Sequence, residues 1–330
     1  MRFSASEKQE LIKIVTGSEI GVNKTLKEIG LNKSTFYNWY KIYSEKGVDG
    51  LAPSERTTRQ QWNTIPQEHK NMVVEIALDH PELSPRELAV TITDEMQIFI
   101  SESSVYRILK ARGLITTPSH IFLSAADEFH QKTGFVHQMW QTDFTYFKIL
   151  GWGWYYLSTV IDDYSRYIVH WELCNGMKAD DVKRTIDRAM SKAKIRAGNP
   201  PKLLSDNGSC YIASELKEYL KNKHGMYQLH GKPFHPQTQG KIERYHRTMK
   251  NVVKLDNYFC PEELIAAIEK FVQRYNNERY HESLQNLTPA DVYYGRGGKI
   301  LRERERIKTE SISKRKANYL KLKSQSLLVN

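Results

Sequence analysis

The sequence has few cysteines and no long apolar run. Its three cysteines, Cys174, Cys210 and Cys260, lie far apart and form no Cys-x-x-Cys pair. This pattern indicates neither a disulfide framework nor a zinc site, and it favours free thiols in a reducing compartment. No stretch approaches about 18 apolar residues, and the first residues lack the apolar segment of a signal peptide. The sequence therefore predicts an intracellular, cytoplasmic protein.

Acidic residues are too few to balance the basic ones. The 330 residues include 49 Lys and Arg against 38 Asp and Glu, which gives a formal charge of +11. Such an excess predicts an anionic partner. Nucleic acid is the commonest such partner, although anionic membranes and ribosomes also fit. The apolar fraction of 40% and the charged fraction of 26% are typical of a globular protein, and the length allows two or three domains.

Short helices with polar caps predict a DNA-binding domain at residues 1–50. Ser6 is a candidate cap for the first helix, Gly30 ends a second helix, and Ser34 is a candidate cap for a third. A helix, a tight turn with glycine and another helix form the helix-turn-helix pattern. Four polar positions of the third helix could reach base edges and phosphates in a major groove: Thr35, Tyr37, Asn38 and Lys41. A three-helix bundle without DNA contacts remains the alternative.

The same pattern recurs after a polar linker at residues 51–65, in which Arg56 and Arg59 are candidate DNA contacts. Ser84 followed by Pro85 is a typical helix start. Residues 66–115 are therefore predicted to form a second helix-turn-helix domain, with four candidate DNA contacts: Ser103, Ser104, Arg107 and Lys110. Two such units in tandem favour specific DNA binding. A second linker is predicted at residues 116–136.

The periodicity changes from helix to strand near Gln138. Strands are predicted at residues 137–150, 152–162, 166–173, 202–205 and 226–230, with helices at 179–197 and 214–224 and a long helix from Gly240. This order predicts an α/β core at residues 137–295, in which helices flank a mixed five-stranded sheet.

A basic, partly helical tail is predicted at residues 296–330. Residues 299–330 hold ten Lys or Arg and three Glu. The tail could add affinity for phosphates or could simply be solvated. Tyr319, Leu320 and Leu322 indicate a helix that packs on a partner subunit.

Three carboxylates stand apart from the other acidic residues. Asp143 lies within a strand among apolar neighbours, where an ionised carboxylate needs a cation or a functional reason. Asp206 lies where a short strand gives way to a loop, and Glu243 lies in the first turns of the helix from Gly240. Each residue by itself could be an ordinary turn or cap acid. They are separated by 62 and 36 residues, respectively.

This combination resembles the transposases and integrases with a ribonuclease-H-like fold, whose catalytic triad is Asp, Asp and Glu. The flanking segments match as well: Gln141 to Thr145, Asp162 to Arg166, Ser205 to Gly208, and Tyr275-Asn276 through His281, Leu284 and Thr288-Pro289. The resemblance covers roughly residues 5–295 and is greatest to bacterial insertion-sequence transposases with a retroviral-integrase-like core. The spacer before Glu243 is one residue longer than is usual in that family.

The resemblance implies that Asp143, Asp206 and Glu243 are catalytic and bind two Mg²⁺ or Mn²⁺ ions, with Asp143 bridging both. Such hard cations take oxygen ligands, and a pair of them can activate a water or a 3′-OH and stabilise the leaving oxygen. The implied partners are double-stranded DNA (transposon-end inverted repeats and target DNA) and further copies of the chain in a homodimer or larger oligomer. A membrane is not among them, and the implied location is the bacterial nucleoid.

Further DNA contacts are predicted around Glu243. Arg244, Arg247 and Lys250 on the same helix could meet a phosphate backbone that lies over the metal ions, and a solvated basic face is the alternative. His235 and Gln239 in the preceding loop could contact DNA or order the loop. Asp162 and Asp163 could compete as metal ligands, but the segment Asp-Asp-Tyr-Ser-Arg predicts a turn between strands.

Three functions fit these observations. The first is an active DNA transposase. The second is a DNA-binding regulator or assembly factor without catalysis, which would have no need for three carboxylates in matching contexts. The third is a ribonuclease that acts on RNA–DNA hybrids, which would leave the two helix-turn-helix units unexplained.

Overall fold

The computed structural model describes residues 3–52, 61–115, 133–195, 199–230, 240–254 and 257–328. The chain divides into two units, residues 1–61 and 62–330. Four candidate DNA contacts lie outside the described residues: Arg56, Arg59, His235 and Gln239.

The first unit is a three-helix domain, composed of α1 (Ala5–Thr16), α2 (Val22–Ile29) and α3 (Lys33–Lys46). Its core is formed by Ile12, Val15, Leu26, Phe36 and Leu51. Gly30 adopts a left-handed conformation, with φ of 70°, and ends α2 as predicted.

Two predicted helix caps in this unit are wrong by two residues. Ser4, not Ser6, caps α1, because Ser4 and Glu7 bind each other's backbone N–H groups in a capping box. Asn32, not Ser34, caps α3, and its Oδ1 accepts from Ser34 N at 3.1 Å. In each case two polar residues compete for the cap, and the sequence alone does not rank them.

The second unit begins with another three-helix domain, composed of α4 (Gln67–Asp79), α5 (Pro85–Met96) and α6 (Glu102–Ala111). Val73, Leu88, Ile92, Val105 and Leu109 fill its core. The predicted start at Ser84-Pro85 is confirmed, since Ser84 forms a capping box with Glu87.

A five-stranded mixed sheet follows, as the sequence predicts. Its strands are β1 (Met139–Ile149), β2 (Gly153–Asp162), β3 (Ile168–Cys174), β4 (Lys202–Ser205) and β5 (Gln228–His230). The spatial order is β3-β2-β1-β4-β5, with β1, β2 and β3 antiparallel and with β4 parallel to both β1 and β5.

Helices cover both faces of this sheet. On one face, α7 (Ala179–Ala193), α8 (Ser209–Ile212) and α9 (Ser214–Tyr219) pack around Trp140. On the other, α10 (Gly240–Val253) and α11 (Pro261–Asn277) pack on Phe147 and Ile161. The helix predicted at 214–224 is α-helical as far as Tyr219 and continues as a π-helix over Leu220–His224. Because alternate residues of a strand point to opposite faces, Asp143 shares the face of Phe147, towards α10.

The predicted tail is one continuous helix. After the short α12 (Pro289–Tyr293), α13 runs over Gly297–Leu328. One side of α13 packs against the α4–α6 domain, with Ile307 and Arg315 buried. Ser311 Oγ accepts from Phe99 N at 3.0 Å, and Arg315 donates to the carbonyl oxygen of Phe99. The predicted helical C-terminus is confirmed, and the segment is a packed element of the second unit that is helical over more of its length than the sequence predicts.

Arg304 on α13 ties the α4–α6 domain to the residues that follow α11. Its guanidinium donates to both carboxylate oxygens of Asp94, at 2.7 and 2.6 Å, and to the carbonyl of Asn286 at 2.9 Å. Tyr280 Oη donates to the same carboxylate at 3.1 Å. The side chains of Arg304 and Asp94 are both largely buried. Removal of either charge would therefore leave the other buried without a counter-charge.

We therefore expect Arg304→Ala to loosen α5 and α13 selectively. The loss of a charged, two-pronged hydrogen bond should lower the local opening free energy by about 2 kcal/mol. Hydrogen exchange of the α5 and α13 amides measures this quantity. Arg306→Ala is the matched control, because Arg306 pairs with Glu303 and Glu310 on the exposed side of the same helix. Equal protection in the two variants would contradict the bracing role of Arg304.

Candidate active site

The parallel pairing of β1 with β4 brings Asp143 and Asp206 together. Gln141 lies opposite Leu204 in this pairing. Both strands continue in the same direction, so a register extended by two residues places Asp143 beside Asp206. Asp206 follows the last residue of β4, as predicted, at the edge of the sheet where active-site groups collect in α/β folds.

The two carboxylates influence each other electrostatically. Partial burial raises the pKa of Asp206, the negative charge of Asp143 raises it further, and a hydrogen bond from Gly208 N at 2.9 Å opposes both. Complete burial, followed by the charges of the same two carboxylates, raises the pKa of Tyr211, which lies under the site in the α7–α9 layer. Two carboxylates placed side by side attract a cation.

His246 on α10 contacts Asp143 on the face of β1 that is covered by this helix. Its Nδ1 lies 3.3 Å from Asp143 Oδ2, and its ring is buried. His246 follows Glu243 by three residues on the same helix. Its contact with Asp143 depends on how α10 packs on β1, which the sequence does not show.

Glu243 occupies the first turn of α10, but its side chain is exposed. Within the described ranges, no three His, Cys, Asp or Glu side chains are arranged to hold a metal ion. The structure therefore brings two of the three predicted ligands together and leaves the third on the neighbouring helix.

Gln141 and Asp163 fix the start of α10 against the sheet. The buried Gln141 side chain donates to Asp163 Oδ1 at 2.6 Å and accepts from Ile242 N at 3.2 Å. Lys241 Nζ lies 2.6 Å from Asp163 Oδ2 and also donates to the Asp163 carbonyl at 2.8 Å. These contacts fix the position of the first turn of α10 along its axis and its rotation about that axis, and this turn bears Glu243. Sequence analysis assigned no role to Gln141 or Lys241, which lie two residues before Asp143 and Glu243, respectively.

Asp162 ends β2 and Asp163 begins the turn to β3, which confirms the predicted turn at this segment. Asp162 is fully buried and accepts hydrogen bonds from His137 N and from both the backbone and the hydroxyl of Ser165. Asp163 is engaged by Gln141 and Lys241. Both carboxylates therefore have structural partners.

The candidate DNA contacts in the described residues are mostly exposed. On α3, Tyr37, Asn38 and Lys41 are exposed and Thr35 is half-buried. On α6, Ser103, Arg107 and Lys110 are exposed, whereas Ser104 is half-buried and accepts from Ser101 Oγ at 2.9 Å. On α10, Arg244 and Arg247 are exposed, and the half-buried Lys250 lies over the ring of Tyr146.

Comparison with known families identifies two kinds of domain in the chain. Residues 136–236 and 224–289 match two models of the integrase core domain, and residues 35–109 match a homeodomain-like domain. The integrase matches contain Asp143, Asp206 and Glu243. They confirm the predicted fold class of an integrase core preceded by helix-turn-helix-like helices.

Two curated transposases are similar to this chain. The putative transposase InsK for insertion sequence element IS150 from Escherichia coli is 28% identical over 156 residues, which are 47% of this chain and 54% of that protein. The transposase for transposon Tn552 from Staphylococcus aureus is 23% identical over 276 residues, which are 75% of this chain and 56% of that protein. The chain thus spans about half the length of these relatives. The resemblance to insertion-sequence transposases is confirmed.

Among solved structures, the catalytic core domain of BIV integrase matches with a TM-score of 0.38 and 22% identity, over 49% of this chain and 97% of that one. No helix in the described part of the chain is long and apolar enough to cross a bilayer.

The raised pKa of Asp206, which results first from partial burial and then from the charge of Asp143, predicts a stability gain for Asp206→Asn without metal. A raised pKa in the folded state means that ionisation of Asp206 opposes folding. This cost is absent below the ordinary pKa of Asp and appears as the pH rises through the raised value. In EDTA at pH 7 the variant should therefore melt at or above the wild-type temperature, and the difference should vanish in acid. Mg²⁺ should raise the melting temperature of the wild type more than that of the variant.

Asp163→Asn is the contrasting variant. It removes a buried carboxylate that pairs with Lys241 and should melt below the wild type. An Asp206→Asn protein that melts lower in EDTA, yet responds fully to Mg²⁺, would contradict the proposed origin of the raised pKa.

Proposed function

Because this chain carries an integrase core and resembles insertion-sequence transposases, we propose that it is a DNA transposase that cuts transposon ends and joins their 3′-OH groups to target DNA. The observation that carries the proposal is the pairing of β1 with β4, which places Asp143 beside Asp206 within the integrase core.

We assign Asp143, Asp206 and Glu243 as the ligands of two Mg²⁺ or Mn²⁺ ions. The fit rests on the adjacent carboxylates, whose mutual repulsion a divalent cation would relieve, and on their oxygen donors, which suit hard cations. When bound, such ions activate a water or a 3′-OH and stabilise the leaving oxygen. The exposed position of Glu243 leaves its side chain free to turn towards the pair.

The neighbouring residues position the three carboxylates. His246 restrains Asp143 through the 3.3 Å contact between its Nδ1 and Oδ2. Gln141 and Lys241 hold the first turn of α10 through Asp163, so that Glu243 starts from a fixed backbone. We propose that a rotation of the exposed Glu243 side chain completes the set.

DNA binding is assigned to three surfaces of the chain. The exposed residues of α3 and α6 would read the transposon end, as in other helix-turn-helix domains. Arg244, Arg247 and Lys250 on α10 would hold the phosphates next to the carboxylates, and Arg56, Arg59, His235 and Gln239 remain candidates from the sequence. Two ends must be cut and joined together, so the proposed active form is a homodimer or a larger assembly on DNA.

Metal-dependent cleavage of labelled transposon-end DNA tests the catalytic assignment. Asp143→Ala, Asp206→Ala and Glu243→Gln should each lower the cleavage rate by more than ~100-fold, because even the partners of metal ligands contribute about 10- to 100-fold. Binding of the end should persist, and EDTA should stop the wild type. Glu269→Gln, which changes an exposed glutamate on α11, is the control and should cut normally.

The alternative functions give different results in the same assay. Binding without cleavage under every metal condition would favour a DNA-binding regulator. Cleavage of RNA–DNA hybrids in preference to DNA ends would favour a ribonuclease. Wild-type rates in Glu243→Gln would remove this residue from the site.

Two substitutions on α3 test how the end is read. Asn38→Ala should weaken binding to the transposon end by about 1–3 kcal/mol and leave binding to random DNA unchanged, as expected for a base contact. Lys41→Ala should weaken binding to both DNAs and lower the salt dependence, as expected for a phosphate contact. Competition binding at several salt concentrations measures both effects. Identical behaviour of the two variants on both DNAs would refute this division of roles.

A further inference from the structure

Three large aromatic side chains are exposed on the hairpin of β1 and β2, and two of them, Tyr146 and Trp154, pack against each other. The exposed fractions of Tyr146 and Trp154 are 49% and 52%, respectively. Their rings meet edge to face, with centroids 5.4 Å apart and planes at 74°. Lys148 lies directly opposite Trp154 in the strand register, and Tyr146 is the diagonal neighbour on the same face. Two adjacent aromatic rings that remain half-exposed indicate a binding surface.

Three lysines surround these rings. Lys148 Nζ lies 5.9 Å from the centre of the Trp154 ring, and Lys250 and Lys254 lie 4.7 and 5.8 Å from that of Tyr146. These distances are typical of cation–π contacts. We refer to Tyr146, Lys148, Trp154, Lys250 and Lys254 as the aromatic–basic platform. It contains three positive charges and no carboxylate, so it complements a polyanion.

The platform continues from the carboxylate site. Tyr146 lies three residues beyond Asp143 on β1, past the segment 139–141 that pairs with β4 in the described residues. Lys250 and Lys254 lie on or directly after the helix that bears Glu243. Tyr146 points to the opposite face of β1 from Asp143, but on the β4 side β1 pairs with no described strand beyond Gln141. A DNA strand that passes the carboxylates along this edge of β1 would meet the platform next.

We propose that the aromatic–basic platform binds an unpaired DNA strand beside the cleavage site, with a base stacked on the Trp154–Tyr146 pair. This inference rests on the proposed transposase function. Stacking on aromatic side chains needs an accessible base face, which paired bases in a duplex do not offer. The lysine ammonium groups leave the rings when a base arrives and pair with the phosphates of the same strand. The platform thereby keeps the bound strand apart from its complementary strand next to the scissile phosphate.

Binding of forked DNA tests the proposal without any need for cleavage. The probes are a short duplex with a few unpaired thymidines at one end and the same duplex fully paired, both in EDTA. The wild type should prefer the forked probe, and Trp154→Ala should remove this preference, with a loss on the order of tenfold. Trp154→Phe, which keeps a ring, should retain most of the preference. Leu150→Ala is the matched control, because Leu150 is an exposed apolar residue of the same hairpin without a ring.

A second measurement reports stacking directly. With 2-aminopurine in the unpaired segment, its fluorescence should fall on binding to the wild type and to Leu150→Ala, but not on binding to Trp154→Ala. An unchanged fork preference in Trp154→Ala would overturn the proposal. A change in oligomeric state together with an unchanged preference would also overturn it and would mark the patch as an interface between copies. Metal-dependent cleavage is measured separately. Normal cleavage by a protein whose fork preference does not depend on Trp154 would overturn the platform proposal and leave the transposase assignment intact. Fork binding that depends on Trp154 without any cleavage would refute only the catalytic assignment.

Discussion

The site depends on the parallel pairing between β1 and β4. This short ladder places Asp143 and Asp206 side by side, although 62 residues separate them in the sequence. The pairing has an electrostatic cost, because partial burial and the negative charge of Asp143 raise the energy of the ionised form of Asp206. Apolar burial offsets this cost, since Trp140, Leu203 and Leu204 within the ladder are almost completely buried. The fold thus holds in place an arrangement that is unfavourable by itself, as functional sites commonly require.

The second constraint is the position of α10. Its apolar side packs on the sheet and would allow the helix to slide or rotate if packing alone held it. The polar contacts of Gln141 and Lys241 with the β2–β3 turn remove this freedom. These contacts are buried and directional, so they fix the register of the helix in a way that apolar contacts do not.

The sequence predicted much of this structure because local patterns decide much of it. The limits of β4, the cap at Ser84 and the end of α2 at Gly30 follow from alternation, capping and glycine conformation, and all three are confirmed. The family resemblance supplied the candidate ligands, which no single residue pattern could rank above ordinary turn acids. The contact of His246 with Asp143 and the role of Gln141 were missed, because both depend on the packing of a helix on a sheet. The packing of α13 was missed for the same reason: its charged sequence is typical of a solvated tail, and only the α4–α6 domain gives Arg304 and Arg315 their buried partners.

The order of the strands along the chain also affects how the protein folds during synthesis. Contacts between distant residues form late, since the intervening chain must be closed into a loop first. The α1–α3 and α4–α6 domains have local contacts and precede the sheet, so they can fold while the ribosome is still adding β4 and α10. A polypeptide whose translation stops before residue 202 would therefore contain both sets of N-terminal helices but neither the carboxylate pair nor α13. In the proposed function, such a truncated product would compete with the full-length protein for DNA ends without being able to cut them.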